Sequence, residues 1–168
     1  NPTGPLHVGH GRGAAVGSAL ANLMKAAGMN VSREYYINDA GNQINNLAAS
    51  VNARYLEQLG QTVEFPENGY HGHDIIETAE RIVRIYGDRF LNMSEEERLK
   101  EFRTIALKEK LAALKEDLEA FNVTYDEWFS EQTLHDANAI KNVCDLLTER
   151  GYLYEEGGAL WLKATEYG

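Results

Sequence analysis

The stretch Asn1-Pro2-Thr3-Gly4-Pro5-Leu6-His7-Val8-Gly9-His10 decides how the chain is read. Two histidines flank a Val-Gly pair, glycine and proline precede them, and an alanine-rich helical pattern follows at once. That order describes a strand-to-helix turn suited to a nucleotide. Gly9 has no Cβ, so a flat base or a phosphate can approach the backbone there. The N–H groups of the first helical turn and the positive end of the helix dipole favour an anion at the same place. His7 and His10 can donate hydrogen bonds to phosphate oxygens, since neutral imidazole carries one N–H and the protonated ring two. The plainer alternative is structural, with both rings capping or packing a loop.

Working outward, Gly11 to Ala27 predicts a helix with Val16, Leu20, Leu23 and Ala27 on one face and Gly28 as its cap. Gly11, Gly13 and Gly17 are costly inside a helix. Room for a ligand explains the first two, and close packing on a sheet explains Gly17. Arg12 reaches a phosphate or RNA, or is simply solvated. Val31 to Ile37 is short and rich in β-branched and aromatic residues, which predicts a strand. Helix then strand is the start of a parallel βαβ unit whose first strand would precede Asn1. Asn38 and Asp39 are good N-caps for a second helix with Ile44, Leu47, Ala48, Val51 and Tyr55 buried and Gly60 at its end. The polar run Asn38 to Gln43 exceeds what capping needs, which makes Asn38, Asp39 and Gln43 candidate contacts in a core site.

Past Gly60 the pattern changes. Residues 61–69 are loop-like. His71 and His73 stand one residue apart, but a zinc site needs more ligands than this pair supplies, so no metal site is assigned. Asp74 to Tyr86 predicts an amphipathic helix. Ser94-Glu95-Glu96-Glu97 is a capping box opening a long helix to about Phe121, with Leu99, Phe102, Ala106, Leu114, Leu118 and Phe121 on one side. The mixed charges of residues 109–115 look like a solvated face. Tyr125, Trp128 and Phe129 form an aromatic cluster, read as packing before recognition. Asp136 is the expected cap of a helix to Arg150 burying Ile140, Val143, Cys144 and Leu147, and Gly151 ends it. Glu156-Gly157-Gly158 between two short apolar runs predicts a β-hairpin.

Length and composition set bounds. A chain of 168 residues holds one domain with a real core or two small ones. No apolar run approaches the roughly 20 residues that span a membrane. The chain shows no signal peptide, and its single cysteine, Cys144, fits a reducing cytoplasm. The net charge of −10 is awkward for gripping RNA. Either basic surface elsewhere holds the RNA, or local basic patches are hidden in an acidic total. The chain begins inside its motif and ends without a terminating pattern, which predicts a fragment of a larger protein.

Asn1 to His10 resembles the His-x-Gly-His signature of class I aminoacyl-tRNA synthetases, and its setting resembles the arginyl-tRNA synthetase family. The blocks Tyr35-Tyr36-Ile37-Asn38-Asp39-Ala40-Gly41-Asn42-Gln43, Phe121 to Glu131 and Gly157-Gly158-Ala159-Leu160-Trp161-Leu162 carry the same resemblance in the family's order. It implies an α/β fold: a partial Rossmann-like half over 1–60, then a mostly helical insertion over 61–168 that ends in a hairpin and returns toward the core from 122. It implies ATP, magnesium arriving with ATP, L-arginine and tRNA(Arg) as partners, the tRNA held mainly by parts outside this chain. Of the residues, it implies His7 and His10 as catalytic groups. Thr3, Gly4, Pro5, His7, Gly9, His10 and Gly11 would lie along ATP, and Asn1 against arginine. The family's second, lysine-bearing phosphate loop has no counterpart here, and Asn92-Met93-Ser94-Glu95 is not one. The chain alone is therefore expected not to aminoacylate. The rival readings are a synthetase for another amino acid, a nucleotidyltransferase, and a non-catalytic tRNA- or nucleotide-binding module.

Overall fold

The computed structural model describes residues 1–167. In chain order it contains α1 (Val8–Ala26), β1 (Glu34–Ile37), α2 (Asn42–Gln58), α3 (His73–Tyr86), α4 (Glu95–Ala120), β2 (Glu127–Ser130), α5 (Gln132–Asp136), α6 (Ala139–Glu149), β3 (Leu153–Glu156) and β4 (Ala159–Leu162). A short 3-10 turn, Ala164–Glu166, follows.

Two compact units result, Asn1–Phe129 and a second beginning at Ser130. In the first unit, α2, α3 and α4 share one apolar core. Leu47, Val51, Tyr55, Ile75, Ala79, Ile82, Phe90, Phe102 and Ala106 fill it. The expected stripe of α2 is buried in full. Gly60 lies inside this unit, because α2 packs on both helices that follow it. The Tyr55 phenol donates to Gly87 O at 2.9 Å and accepts from the Phe90 N–H at 3.3 Å, which satisfies its polar end within the core. Gly28, Gly60 and Gly151 follow the ends of α1, α2 and α6, their N–H groups returning to Lys25, Glu57 and Thr148 carbonyls.

The sheet of the first unit pairs β1 with β2. The Asp126 N–H donates to Arg33 O, Tyr35 stacks on Trp128 and Tyr36 on Phe129. These contacts advance together along both segments, so the two strands run the same way. β2 was not expected as a strand. Its residues Glu127-Trp128-Phe129-Ser130 read as an aromatic cluster, and the cluster is the packing of one strand on its neighbour.

Several side chains lie elsewhere than expected. Val16, Leu20 and Leu23 of α1 are 64%, 56% and 69% exposed. Periodicity says which residues share a face, not that something covers it. The same holds for Phe121, which is exposed at the end of α4. Asn38 and Asp39 do not cap α2. Gly41 is its N-cap and supplies no side-chain bond. Asp39 is buried, and its carbonyl accepts from Arg103 Nη2 at 3.0 Å. A Cβ on Gly17 would meet nothing within 4 Å, so close packing does not explain that glycine.

Lys110, expected on a solvated face, is buried. Its ammonium lies 2.7 Å from Asp74 Oδ2, an ion pair rather than an aligned hydrogen bond. It also donates to Asp74 O at 3.1 Å and to Thr78 Oγ1 at 3.3 Å. Thr78 in turn donates to Glu109, which pairs with Arg81. This network fastens α3 to α4.

The capping box of α4 forms as expected. The Glu97 N–H donates to Ser94 Oγ at 3.3 Å, and the Ser94 N–H donates to Glu97 Oε2 at 3.1 Å. Hydrogen bonds from the Ser94 hydroxyl and N–H hold the Glu97 carboxyl below its ordinary value of 4.5. A carboxyl lowered in the folded state contributes stability above its unfolded value and loses it as pH falls through the folded value. Ser94→Ala is therefore expected to lower the melting temperature at neutral pH. The gap to the unaltered protein should narrow below about pH 4, where the carboxylate partner is lost. Thermal melts at both pH values check this.

In the second unit, α6 begins after Asn138, whose backbone is left-handed at φ 52°. This breaks the single helix expected from Asp136, which instead ends α5. Ile140 and Val143 are exposed, and Cys144 and Leu147 half-buried, so the expected burial of this face is not found. The hairpin forms as read. Glu156 pairs with Ala159 across Gly157 and Gly158, both at positive φ, the geometry of a tight two-residue turn.

Candidate functional site

The lead-in is anchored at Pro2, which is fully buried. The Asn1 side-chain amide donates to Gln43 Oε1, so the first residue of the motif meets the first turn of α2. The loop then delivers His7 as the N-cap of α1 and His10 as the third residue of that helix.

Both histidines have a structural job. His7 Nδ1 accepts from the Gly9 N–H at 3.1 Å, and His10 Nδ1 accepts from the His7 N–H at 3.2 Å. The rings stack with centroids 3.6 Å apart. An accepting Nδ1 assigns the proton of each neutral ring to Nε2. The capping that orients the rings thus leaves each with one outward N–H donor, beside the exposed start of a helix. The structural and the ligand readings are compatible here, because they use different nitrogens.

Gly9 acquires a second explanation. A Cβ there would stand 2.9 Å from His7 Cε1 and 3.1 Å from Nδ1, so glycine makes room for the imidazole. Around Gly11 and Gly13 a Cβ would meet nothing within 4 Å.

A cleft of about 340 Å³ opens at the motif. Asn1, Thr3, His7, His10, Tyr35 and Tyr70 supply its polar lining, and Gly4, Pro5, Leu6 and Leu114 the remainder. Of the expected site residues it gathers Asn1, Thr3, Gly4, Pro5, His7 and His10. Gly9 and Gly11 sit outside it on α1, and Asn38, Asp39 and Gln43 do not line it, Gln43 reaching it only through its bond to Asn1. Larger hollows lie between α3 and α4, about 750 Å³, and along α1, about 460 Å³. Neither contains the paired imidazoles, and volume alone does not make a site.

Tyr35 and Tyr70 were not singled out from the sequence. Tyr35 belongs to a segment that carries the family resemblance, but its stacking on Trp128 depends on β2, some ninety residues later. Burial, and then the neighbouring Tyr125, pushes the Tyr35 phenol above its ordinary value, so it remains an O–H donor at neutral pH. The only nearby signal for Tyr70 was the turn chemistry of Pro66 and Gly69.

His71 tilts against Phe65, and His73 lies 3.2 Å from Glu77. Among the described residues no group of three or more His, Cys, Asp or Glu side chains could hold a metal ion.

The whole chain, residues 1–168, matches the family model described as tRNA synthetases class I (R), catalytic domain. It is 59% identical over 168 residues to an arginine–tRNA ligase of Carboxydothermus hydrogenoformans, covering all of this chain and 30% of that protein. It is 53% identical over 168 residues to arginine–tRNA ligase 1 of Halalkalibacterium halodurans, again all of this chain and 30% of the relative. A crystal structure described as an arginyl-tRNA synthetase from Campylobacter jejuni superposes with a TM-score of 0.82 at 36% identity, over 100% of this chain and 36% of that one. The chain thus spans about 30% of the length of the curated relatives it matches.

Proposed function

The chain belongs to the class I aminoacyl-tRNA synthetase family for arginine, catalytic domain, and from that membership we propose that it forms the ATP-binding part of an arginine–tRNA ligase. The observation that supports this reading best is the pair of outward Nε2–H donors at the start of α1. In the proposed first step the arginine carboxylate attacks the α-phosphorus of ATP, and pyrophosphate leaves. A ribose hydroxyl of the terminal adenosine of tRNA(Arg) then attacks the carbonyl of the arginyl-adenylate, forming the ester as AMP leaves.

Catalysis of this kind is positioning and charge stabilisation more than covalent work by the protein. His7 and His10 donate to the phosphate oxygens as negative charge redistributes. Thr3, Gly4 and Pro5 line the cleft along the nucleotide, with Gly9 and Gly11 on the adjoining turn of α1. Asn1, tied to Gln43, contacts arginine, with Asn38 and Asp39 supporting the site from the end of β1. Residues 1–60 serve as the first part of the ATP-binding core, and residues 61–168 as an insertion that returns at β2. The pairing of β2 with β1 supports that return.

Magnesium fits this site only as a companion of ATP. Among the described residues no carboxylate lines the cleft. Magnesium commonly keeps its waters and binds substrate phosphates. When bound, it would neutralise phosphate charge. The proposal places the enzyme in the cytoplasm; no helix of the described residues is long and apolar enough to cross a membrane.

The test is charging of total tRNA by the full-length enzyme, with each of the twenty amino acids in turn. Arginine alone is expected to be charged. Charging with another amino acid would keep the histidine roles and overturn the substrate. No charging with any would overturn the reading.

A further inference from the structure

Tyr70 lies outside every block that carries the family resemblance, yet it lines the cleft at the paired histidines. Its position is held from several sides. The Tyr70 N–H donates to Ser50 Oγ at 2.8 Å, and that fully buried hydroxyl donates to Asn46 O at 2.6 Å. The preceding turn closes with the Gly69 N–H on Pro66 O at 2.8 Å. A Cβ on Gly69 would stand 2.5 Å from Phe65 Cε1 and 2.8 Å from Pro66 O, so the turn is closed to larger residues. Arg54 lies over the Phe65 ring at 4.4 Å, which holds the turn against α2. Tyr70 also packs against the core shared by α2, α3 and α4. A ring so fixed is pre-organised, and its hydroxyl loses little freedom on meeting a ligand.

The chemistry of the cleft says what that ligand offers. The polar residues that line it carry a side-chain amide, a threonine hydroxyl, two imidazoles whose Nδ1 atoms are already engaged, and two phenols. All of these can donate, and no carboxylate stands among them. A cluster of donors without an acceptor charge suits anionic oxygen. We propose that Tyr70 is a substrate-contacting residue whose phenol O–H donates a hydrogen bond to an anionic oxygen in this cleft, either of the ATP phosphate chain or of the amino-acid carboxylate. The inference rests on the synthetase reading above, and it adds a group from the turn before α3 to a polar lining otherwise made of the motif and β1.

The experiment is ATP–pyrophosphate exchange by the full-length enzyme with tRNA present, comparing the unaltered protein with Tyr70→Phe. Phenylalanine keeps the ring packing and the backbone bond to Ser50 and removes only the O–H. The expected result is a fall in kcat/KM of about 10- to 100-fold, the worth of a hydrogen bond to a charged group, with an unchanged melting temperature. A rise in KM for ATP assigns the phosphate chain, and a rise in KM for arginine assigns the carboxylate. A fall in kcat alone assigns a contact made only in the transition state. Tyr70→Phe within twofold of the unaltered enzyme in both substrate titrations overturns the inference and leaves Tyr70 a packing residue. A loss of activity matched by a loss of thermal stability does the same. Absence of exchange by the unaltered enzyme with every amino acid overturns the synthetase reading itself, and this inference with it.

Discussion

Replacing His10 with alanine in the full-length enzyme is expected to lower arginine-dependent ATP–pyrophosphate exchange by about two to three orders of magnitude, the typical loss when one pre-positioned donor to developing charge is removed. The alanine also deletes the Nδ1 acceptor that caps the His7 N–H, so two variants separate the roles. In His10→Asn the amide oxygen reaches the place of Nδ1 and keeps the cap, but nothing reaches the place of Nε2. In His10→Gln the longer amide reaches Nε2 instead. The asparagine variant should keep its melting temperature and stay as slow as alanine, while glutamine should recover part of the rate. If asparagine restores exchange, His10 works through the cap alone, and the proposed division of labour between its two nitrogens is wrong.

Lys110→Met carries the largest expected effect on stability. Lys110 is buried against Asp74, Thr78 and the α3 backbone. Removing its charge leaves the Asp74 carboxylate beside a pocket that no longer compensates it, at a cost of about 3 kcal/mol. Asp74 is partly exposed, which keeps the cost at the lower end of what buried pairs show. Adding Asp74→Asn removes the orphaned charge, so the double variant should be more stable than Lys110→Met alone. Denaturant unfolding of Lys110→Met, Asp74→Asn and the double variant measures this coupling. Additive effects of the two changes would mean that the pair contributes nothing as a pair.

What could be seen from the sequence follows from how local each feature is. The capping box at Ser94 and the stripe of α2 are written within a few turns of chain, and both formed. The His-x-Gly-His turn is equally local, which is why His7 and His10 stand out as candidates in the sequence alone, whereas Asn1 is a candidate only through the family resemblance. β2 could not be read that way, because its four residues become a strand only by pairing with β1, some ninety residues earlier. Lys110 looked solvated because its partner, Asp74, is on another helix. Tyr70 reaches the cleft through Ser50, a contact that no periodicity announces. For α1 the pattern identified a shared apolar face correctly, but Val16, Leu20 and Leu23 remain exposed among the described residues. Hydrophobic periodicity carries no information about what lies opposite.

The most direct measurement of the central claim is a crystal structure of the full-length enzyme with a non-hydrolysable arginyl-adenylate mimic, in which a sulfamoyl group replaces the phosphate. The sulfamoyl oxygens are expected about 3 Å from Nε2 of His7 and His10, with the arginyl moiety beside Asn1. A mimic bound elsewhere, such as the hollow between α3 and α4, with both imidazoles unengaged, would contradict it.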